Sequence, residues 1–459
     1  MTKKALVFGL GLLGGGVATT NWLLKHGYAV TVTDMKDEAT LRPSLDKIVG
    51  KVTLALGGHT EKDIEENDLI VVNPDVSLNN PYIKLAQKLG KEVANEATLF
   101  YTFWNKKTVA VTGTRGKTTT VNWVNHFLNS SFNSIVTGNS TSQPLLSVLD
   151  EAENYDYAVT ELPSFLLELF EGKPDVAVIT NISQDHLNRH HTMEEYAAVK
   201  ANVFKNQTVE QFLVLNADHE WTDFFLKQKP AGQVRFFSMH SLRPEQTGVF
   251  YRDGQIFWKD EKGVQAVLTL GDFITERGEH NVQNLLASVL GASLAGCSWE
   301  KIAGQVATLP QVEFRQEPVF ISANLKIIND TTATSPEGGM AAIKRFGGEN
   351  CILITGGTDR QLDFTPWAPV VLEKINPANL IFLQGSATQK MLTLLGDKVK
   401  PEQVHETLQA CLEQALAQAK GKNNVVILFS PSAKSFEKFK NEYDRGEQFN
   451  VLVSSLLKK

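Results

Sequence analysis

Thr108-Val109-Ala110-Val111-Thr112-Gly113-Thr114-Arg115-Gly116-Lys117-Thr118-Thr119-Thr120 is the stretch that decides the fold. Residues 108–111 are β-favouring and apolar, and they run straight into glycines and then Lys-Thr-Thr, where a helix can start. A strand, a glycine turn and a helix start aim backbone N–H groups and the positive helix end at one point, which suits a phosphate. In that design Lys117 reaches the β- and γ-phosphates of ATP and the Thr118 hydroxyl ligates Mg²⁺, while Gly113, Thr114, Arg115, Gly116 and Thr119 complete the cradle. The loop is shorter than the ordinary Walker pattern, which would require glycine at the position of Val111. A glycine turn that binds nothing is the alternative, and it leaves the Lys-Thr-Thr unexplained.

Upstream, a short β-type run at residues 5–7 leads into Gly9-Leu10-Gly11-Leu12-Leu13-Gly14, and Asp34 follows about 20 residues further on. Read alone, this fingerprint predicts NAD binding. Its glycine logic is only the close approach of a diphosphate to a helix start, and UDP-sugars carry a diphosphate too. Further strands are expected at residues 28–32 and 69–72, the latter stopped by Asn73-Pro74. After the phosphate loop they recur at 158–161, 176–180, 326–329, 351–355, 380–383 and 425–429, with helical stretches between. That alternation predicts an α/β protein with parallel, doubly wound sheets. Three domains are expected: a Rossmann-like first domain over residues 1–98, a central P-loop ATPase domain over 99–309, and a Rossmann-like C-terminal domain over 310–459.

The chain has 459 residues and is 42% hydrophobic, enough apolar material for about three cores. Its 45 Lys and Arg against 51 Asp and Glu give a net charge of −6, so no global basic field points to nucleic acid. Cys297, Cys351 and Cys411 match neither a zinc spacing nor a disulfide framework, and three scattered thiols fit a reducing cytoplasm. No run approaches the roughly 18 apolar residues of a membrane span. A cytoplasmic protein is the expectation; the sequence is silent on oligomeric state, and a monomer is compatible with it.

The short phosphate loop behind a glycine-rich first segment resembles the Mur ligases and their folylpolyglutamate synthase relatives, and the resemblance runs along nearly the whole chain. Thr160-Glu161-Leu162-Pro163-Ser164-Phe165 resembles the family's Glu-bearing strand end. Asn181-Ile182-Ser183-Gln184-Asp185-His186 is similar to its Asn-x-x-x-Asp-His motif, His280-Asn281-Val282-Gln283-Asn284 to its His-Asn-x-x-Asn motif, and Asn329-Asp330-Thr331-Thr332-Ala333-Thr334 to the opening of its third domain. Gly356-Gly357 with Asp363-Phe364, and Ser430-Pro431 with Ser435-Phe436, most resemble its glutamate-adding branch.

The resemblance implies an ATP-dependent ligase that phosphorylates a carboxylate and lets an amine attack the acyl phosphate. UDP-N-acetylmuramoyl-L-alanine and glutamate are then the small-molecule partners, D-glutamate in this branch, although no residue reports the stereochemistry. It implies two Mg²⁺ sites built from Thr118, Glu161, His186 and Lys200, the last as a carbamate formed with CO₂. It places Asn281 and Asn284 beside the adenine, Arg315 and Asp330 on ATP from the third domain, and closure of the domains before chemistry. Gly9, Gly11, Gly14, Asp34, Asn73 and Asn139 would hold the UDP precursor, and Thr334, Arg360, Ser435 and Phe436 the amino acid. On sequence alone Lys200 reads as an exposed helical lysine, and only the resemblance makes it a metal ligand. His186 and His190, spaced i,i+4, lack the Glu that a zinc protease needs.

The chain also departs from the family pattern. Leu13 replaces a hydroxyl residue, Asn73-Pro74-Asp75 replaces Ser-Pro-Gly, Ser140 replaces Ile, Thr332 and Arg360 each replace a lysine, and Glu313-Phe314-Arg315 replaces Pro-His-Arg. Rival readings are an NAD-dependent oxidoreductase, which leaves the phosphate loop unused, a nucleotide-sugar-binding protein without catalysis, and a Mur-type ligase with a different amino acid or precursor.

Overall fold

The computed structural model describes residues 3–12, 14–139, 143–185 and 187–457. The chain divides into two compact units, Met1–Pro310 and Gln311–Lys459. Both are α/β, as the alternation predicts.

The first unit carries two sheets. One is made of β1 (Lys4–Phe8), β2 (Ala29–Asp34), β3 (Thr53–Leu56), β4 (Leu69–Val72) and β5 (Glu92–Ala94), all parallel, in the order β3-β2-β1-β4-β5. Ala5, Leu6, Val7 and Phe8 are all buried, because helices cover both faces of a parallel sheet and both faces must be apolar. The chain reverses its direction of travel between β1 and β4. Gly9 and Asn73, which follow those two strands, therefore meet at the C-terminal edge, where such sheets bind ligands.

The other sheet comprises β6 (Lys107–Thr112), β7 (Ser134–Gly138), β8 (Tyr157–Glu161), β9 (Val176–Ile179), β10 (Phe212–Asn216), β11 (Gln233–Ser238), β12 (Gly248–Arg252), β13 (Gln255–Asp260) and β14 (Gly263–Thr269), ordered β14-β13-β12-β11-β10-β9-β6-β8-β7. Strand β6 is bonded on both sides, to β8 and β9, so the phosphate loop leaves from the sheet's interior and inherits its rigidity. The helices Lys117–Leu128 and His280–Leu294 pack together on one face and bury Val121, Val124, Phe127, Val282, Leu285 and Leu290. At about 1.5–3 kcal/mol for each fully buried large side chain, this packing holds the helix start in place. The strands β12–β14 form an antiparallel meander that the sequence reading does not anticipate. Its signal is Asp253-Gly254, both at positive φ, a two-residue turn that matches the strand twist.

The second unit has one sheet: β15 (Glu317–Ile321), β16 (Leu325–Asn329), β17 (Cys351–Thr355), β18 (Leu380–Leu383), β19 (Val404–His405) and β20 (Val425–Phe429), ordered β15-β16-β20-β17-β18-β19. Only β15 is antiparallel. Strand β20 inserts between β16 and β17, which brings the loops after Asn329, Thr355 and Phe429 to one edge.

Candidate active site

The loop between β6 and the helix Lys117–Leu128 is held from beneath by the segment after β9. Asn181 accepts the Thr114 N–H at its carbonyl (2.8 Å) and the Arg115 N–H at its side-chain oxygen (2.9 Å). Thr180 Oγ1 and Asn181 Nδ2 both donate to the Arg115 carbonyl, at 2.7 and 3.1 Å. Gly113 and Gly116 lie at positive φ, and a Cβ on them would overlap Thr180 Oγ1 and Asn284 Oδ1 respectively. Glycine is required at both for conformation and for space. The half-buried Lys117 curls over the loop, its Nζ donating to the Thr114 carbonyl at 3.0 Å. Arg115 pairs with Asp185 at 3.2 Å.

Glu161 ends β8, directly across from Gly138 of β7 and Val111 of β6, and is buried. Its Oε1 accepts from Asn139 Nδ2 at 3.2 Å, so two residues expected to serve different substrates are hydrogen-bonded neighbours. Lys200 is not an exposed helical lysine. It is 1% exposed, donates to Thr112 Oγ1 at 3.3 Å, and lies 4.7 Å from the centre of the Tyr196 ring. Burial holds its amine well below the ordinary lysine value, the nearby Lys117 charge pushes it the same way, and Asp185 and Glu161 oppose both. The residues thus collect two cations and two carboxylates around the strand end that feeds the phosphate loop.

This donor set fits Mg²⁺, which takes oxygen ligands, keeps several waters and needs only one or two carboxylates besides substrate phosphates. The Thr118 hydroxyl at the first turn and the buried Glu161 carboxylate are ligands of that kind. Among the described residues there is no cluster of three His, Cys, Asp or Glu that would suit a softer, all-protein site. His186, expected as a second metal ligand, lies outside the described residues, as do Leu13 and Ser140. His190 is buried and shares a hydrogen bond of 3.0 Å with Ser164 Oγ.

Asn281 and Asn284 sit together on the helix His280–Leu294. Asn284 donates to Asn281 at 2.9 Å, Asn281 donates to the Arg277 carbonyl at 2.7 Å, and Asn284 Oδ1 closes on Gly116. Asn281 is not the helix N-cap, a position taken by Glu279.

At the first glycine loop, Asp34 accepts the Gly11 N–H at 3.0 Å and the Lys36 N–H at 2.9 Å. Its carboxylate is committed to shaping the loop, whereas a dinucleotide fold aims the equivalent acid at a ribose. Asn73 donates to the Gly9 carbonyl at 3.0 Å, joining the two strand ends. Gly14 caps the helix Gly15–Lys25.

In the second unit, the buried Asp330 accepts from Ser430 Oγ at 2.7 Å and from the Gln316 N–H at 3.1 Å, which joins the loops after β16 and β20 and orders the turn that carries Arg315. Burial raises its carboxyl to about 7. Thr334 is buried and accepts from Lys434 Nζ at 3.3 Å. The Arg360 guanidinium lies 4.7 Å from the Phe436 ring centre, and the buried Ser435 hydroxyl has no partner among the described residues. Of the four residues expected to hold an amino acid, Arg360 and Phe436 are in contact, Ser435 precedes Phe436 in the chain, and Thr334 contacts Lys434, the residue before Ser435.

Several contributors escape the sequence reading. Tyr196 and Thr180 brace the phosphate loop, and Lys434 and the fully buried Arg445 tie the loops after β16 and β20 together, Arg445 donating to the carbonyls of Thr331, Ala433 and Lys434. An arginine inside the final helix carries no local signal at all.

Residues 3–95 match the Mur ligase MurD-like, N-terminal domain family, and residues 111–292 match the Mur ligase middle domain family. The chain is 33% identical over 468 residues to the UDP-N-acetylmuramoylalanine--D-glutamate ligase of Roseiflexus sp. (strain RS-1), spanning 99% of this chain and 98% of that one. The protein of the same name from Koribacter versatilis (strain Ellin345) is 33% identical over 458 residues, with coverage of 99% and 98%. Among solved structures, MurF from Acinetobacter baumannii gives a TM-score of 0.61 at 16% identity, covering 99% of this chain and 90% of that one. UDP-N-acetylmuramate-alanine ligase MurC from Thermotoga maritima gives 0.58 at 20% identity, covering 99% and 100%. At those identities the structures speak for the fold alone, and the full-length relatives speak for the family. The chain belongs to the Mur ligase family, whose members are ATP-dependent amide-bond-forming ligases.

Proposed function

We propose that this ligase adds D-glutamate to UDP-N-acetylmuramoyl-L-alanine in peptidoglycan precursor synthesis, in the cytoplasm. The observation that carries the reading is full-length identity of 33% to relatives bearing that activity in their names. Among the described residues no helix is long and apolar enough to cross a membrane.

The chemistry assigns each residue a task. Lys117, on a loop braced from both sides, neutralises charge that develops on the γ-phosphoryl group as it passes to the precursor's carboxylate. Thr118 and Glu161 would hold Mg²⁺, which would supply further positive charge against the phosphates. The glutamate amine then attacks the acyl phosphate and phosphate leaves, giving the amide. In this reading Lys200 becomes a carbamate: its neutral amine attacks CO₂, releases one proton and leaves an anionic oxygen donor. Burial favours that neutral amine. Asp34 and Asn73 shape the loop that receives the precursor's diphosphate, and Arg360 with Ser435 receives a carboxylate of glutamate.

An ADP-release assay decides the matter, with the precursor and each glutamate enantiomer offered separately. Release that requires both the precursor and D-glutamate supports the reading. Release with L-glutamate or a diamino acid instead would make the chain a different ligase of the family.

A further inference from the structure

Arg189 makes an unusual set of contacts for a residue on a short helix. Its Nε and Nη2 form a two-pronged pair with Glu168, at 2.6 and 2.8 Å. Two further bonds go to backbone carbonyls. Nη1 donates to the Pro74 carbonyl at 2.6 Å and Nη2 to the Val76 carbonyl at 3.0 Å. Its guanidinium also lies 5.0 Å from the Phe165 ring centre. The Arg189 and Glu168 side chains are 16% and 11% exposed, so most of the pair is out of water.

What these contacts join matters more than their number. Pro74 and Val76 belong to the turn after β4, whose Asn73 donates to the Gly9 carbonyl and closes against the first glycine loop. Arg189 lies in, and Glu168 ends, short helical segments that follow β9 and β8 of the other sheet of the same unit. Four residues before Arg189, Asp185 pairs with Arg115 of the phosphate loop. On the other side His190 packs against Tyr196, whose hydroxyl meets Thr114 Oγ1 at 3.2 Å. The Phe165 ring under the Arg189 guanidinium also stacks with His190, so contacts run from Asn73 and the turn after β4 through Arg189, Phe165, His190 and Tyr196 to Thr114 of the phosphate loop.

We infer that Arg189, held by Glu168, is a positioning residue that fixes the precursor-binding turn at residues 73–76 relative to the phosphate loop. The assignment rests on the ligase reading above. Phosphoryl transfer between two bound substrates demands that the attacking carboxylate and the γ-phosphate be held within a fraction of an ångström of the reacting distance. The two substrates approach different sheets, so something must set the spacing between those sheets. A planar, five-donor guanidinium does this where a lysine cannot, because it bonds a carboxylate and two carbonyls at once.

The test is steady-state kinetics with the full-length enzyme, together with amide hydrogen exchange. In Arg189→Ala the precursor KM should rise at least tenfold while the KM values for ATP and glutamate stay within twofold. Exchange at residues 73–80 should quicken while residues 107–128 stay protected. Arg189→Lys, which keeps the charge and loses the fork, should fall between, and Glu168→Gln should resemble it. A precursor KM within twofold of wild type overturns the inference, as does a common shift of all three KM values that tracks a lower Tm. If the wild-type enzyme does not turn over the precursor, the functional reading itself fails; exchange then decides the anchor, and unchanged exchange at residues 73–80 refutes it.

Discussion

The two glycine loops of the first unit share one construction and differ in what surrounds them. Each follows a buried central strand, turns on glycines and opens a helix. Around the loop at residues 113–116 stand the cations Lys117 and Arg115, with the carboxylates of Asp185 and Glu161 and the buried amine of Lys200 close by. Around the loop at residues 9–14 stand carboxyl groups: Asp34, bonded to the Gly11 N–H, and Glu96, which lies against Gly15 with a buried, unpartnered oxygen. A helix start and a row of N–H groups are enough to hold a diphosphate that only binds. A phosphate that is transferred gains charge in the transition state, and fixed cations must meet it. Backbone geometry makes the anion site, and side-chain charge decides whether it binds or reacts.

Lys117→Ala tests that division most severely. Its turnover should fall at least a hundredfold, about 3 kcal/mol or more, with precursor affinity unchanged within a few-fold. Retention of more than about a tenth of wild-type rate would mean the loop cation does not meet transferred charge. Lys200→Ala should lose a comparable amount and recover part of it with chloride or formate, since a small anion can occupy the place of a carbamate. Absence of both rescue and bicarbonate dependence, with a bare ammonium seen in a crystal structure, would show that Lys200 is not a carbamate.

Glu96 sharpens the acidic side. Burial raises its carboxyl from 4.5 to about 7, so the folded protein holds this proton more tightly than the unfolded chain does. The stabilisation from the bound proton is complete below about pH 4.5 and is lost as pH rises through about 7. Glu96→Gln should remove that slope, matching wild type near pH 4 and exceeding it by roughly 2–3 kcal/mol at pH 8, at 1.36 kcal/mol per pH unit. Parallel melting curves for the two proteins across that range would show that the carboxyl is not perturbed. Asp34→Asn should have the smallest effect. It weakens one charged hydrogen bond within the first loop, about 1.5 kcal/mol, read as a roughly tenfold higher precursor KM at constant ATP KM. An ATP KM that moves as well would mean the two loops are not separate devices.

Much of this was legible because the signals are local. The strands leading into Gly9 and Gly113 are unbroken apolar runs, and a parallel sheet covered on both faces accepts nothing else. The meander β12–β14 was missed although Asp253-Gly254 marks its first turn, because its strands are short and only partly apolar. Lys200 shows the limit most clearly. Its helix, Met193–Ala201, has no strong apolar stripe, and nothing in the nine residues says which side faces inward.

The sequence by itself determined the α/β class, both glycine loops and the phosphate chemistry of one of them. These depend on φ, on the absence of a side chain and on neighbours a few residues away. Only the tertiary structure decided that Lys200 is buried beside Lys117, that Asp34 serves its own loop, and that Arg189 reaches across to Pro74 and Val76. Those facts turn on which distant segments meet. Proton affinity and hydrogen-bond partnership are set by the atoms within a few ångströms, and for these residues nearly all of those atoms come from elsewhere in the chain.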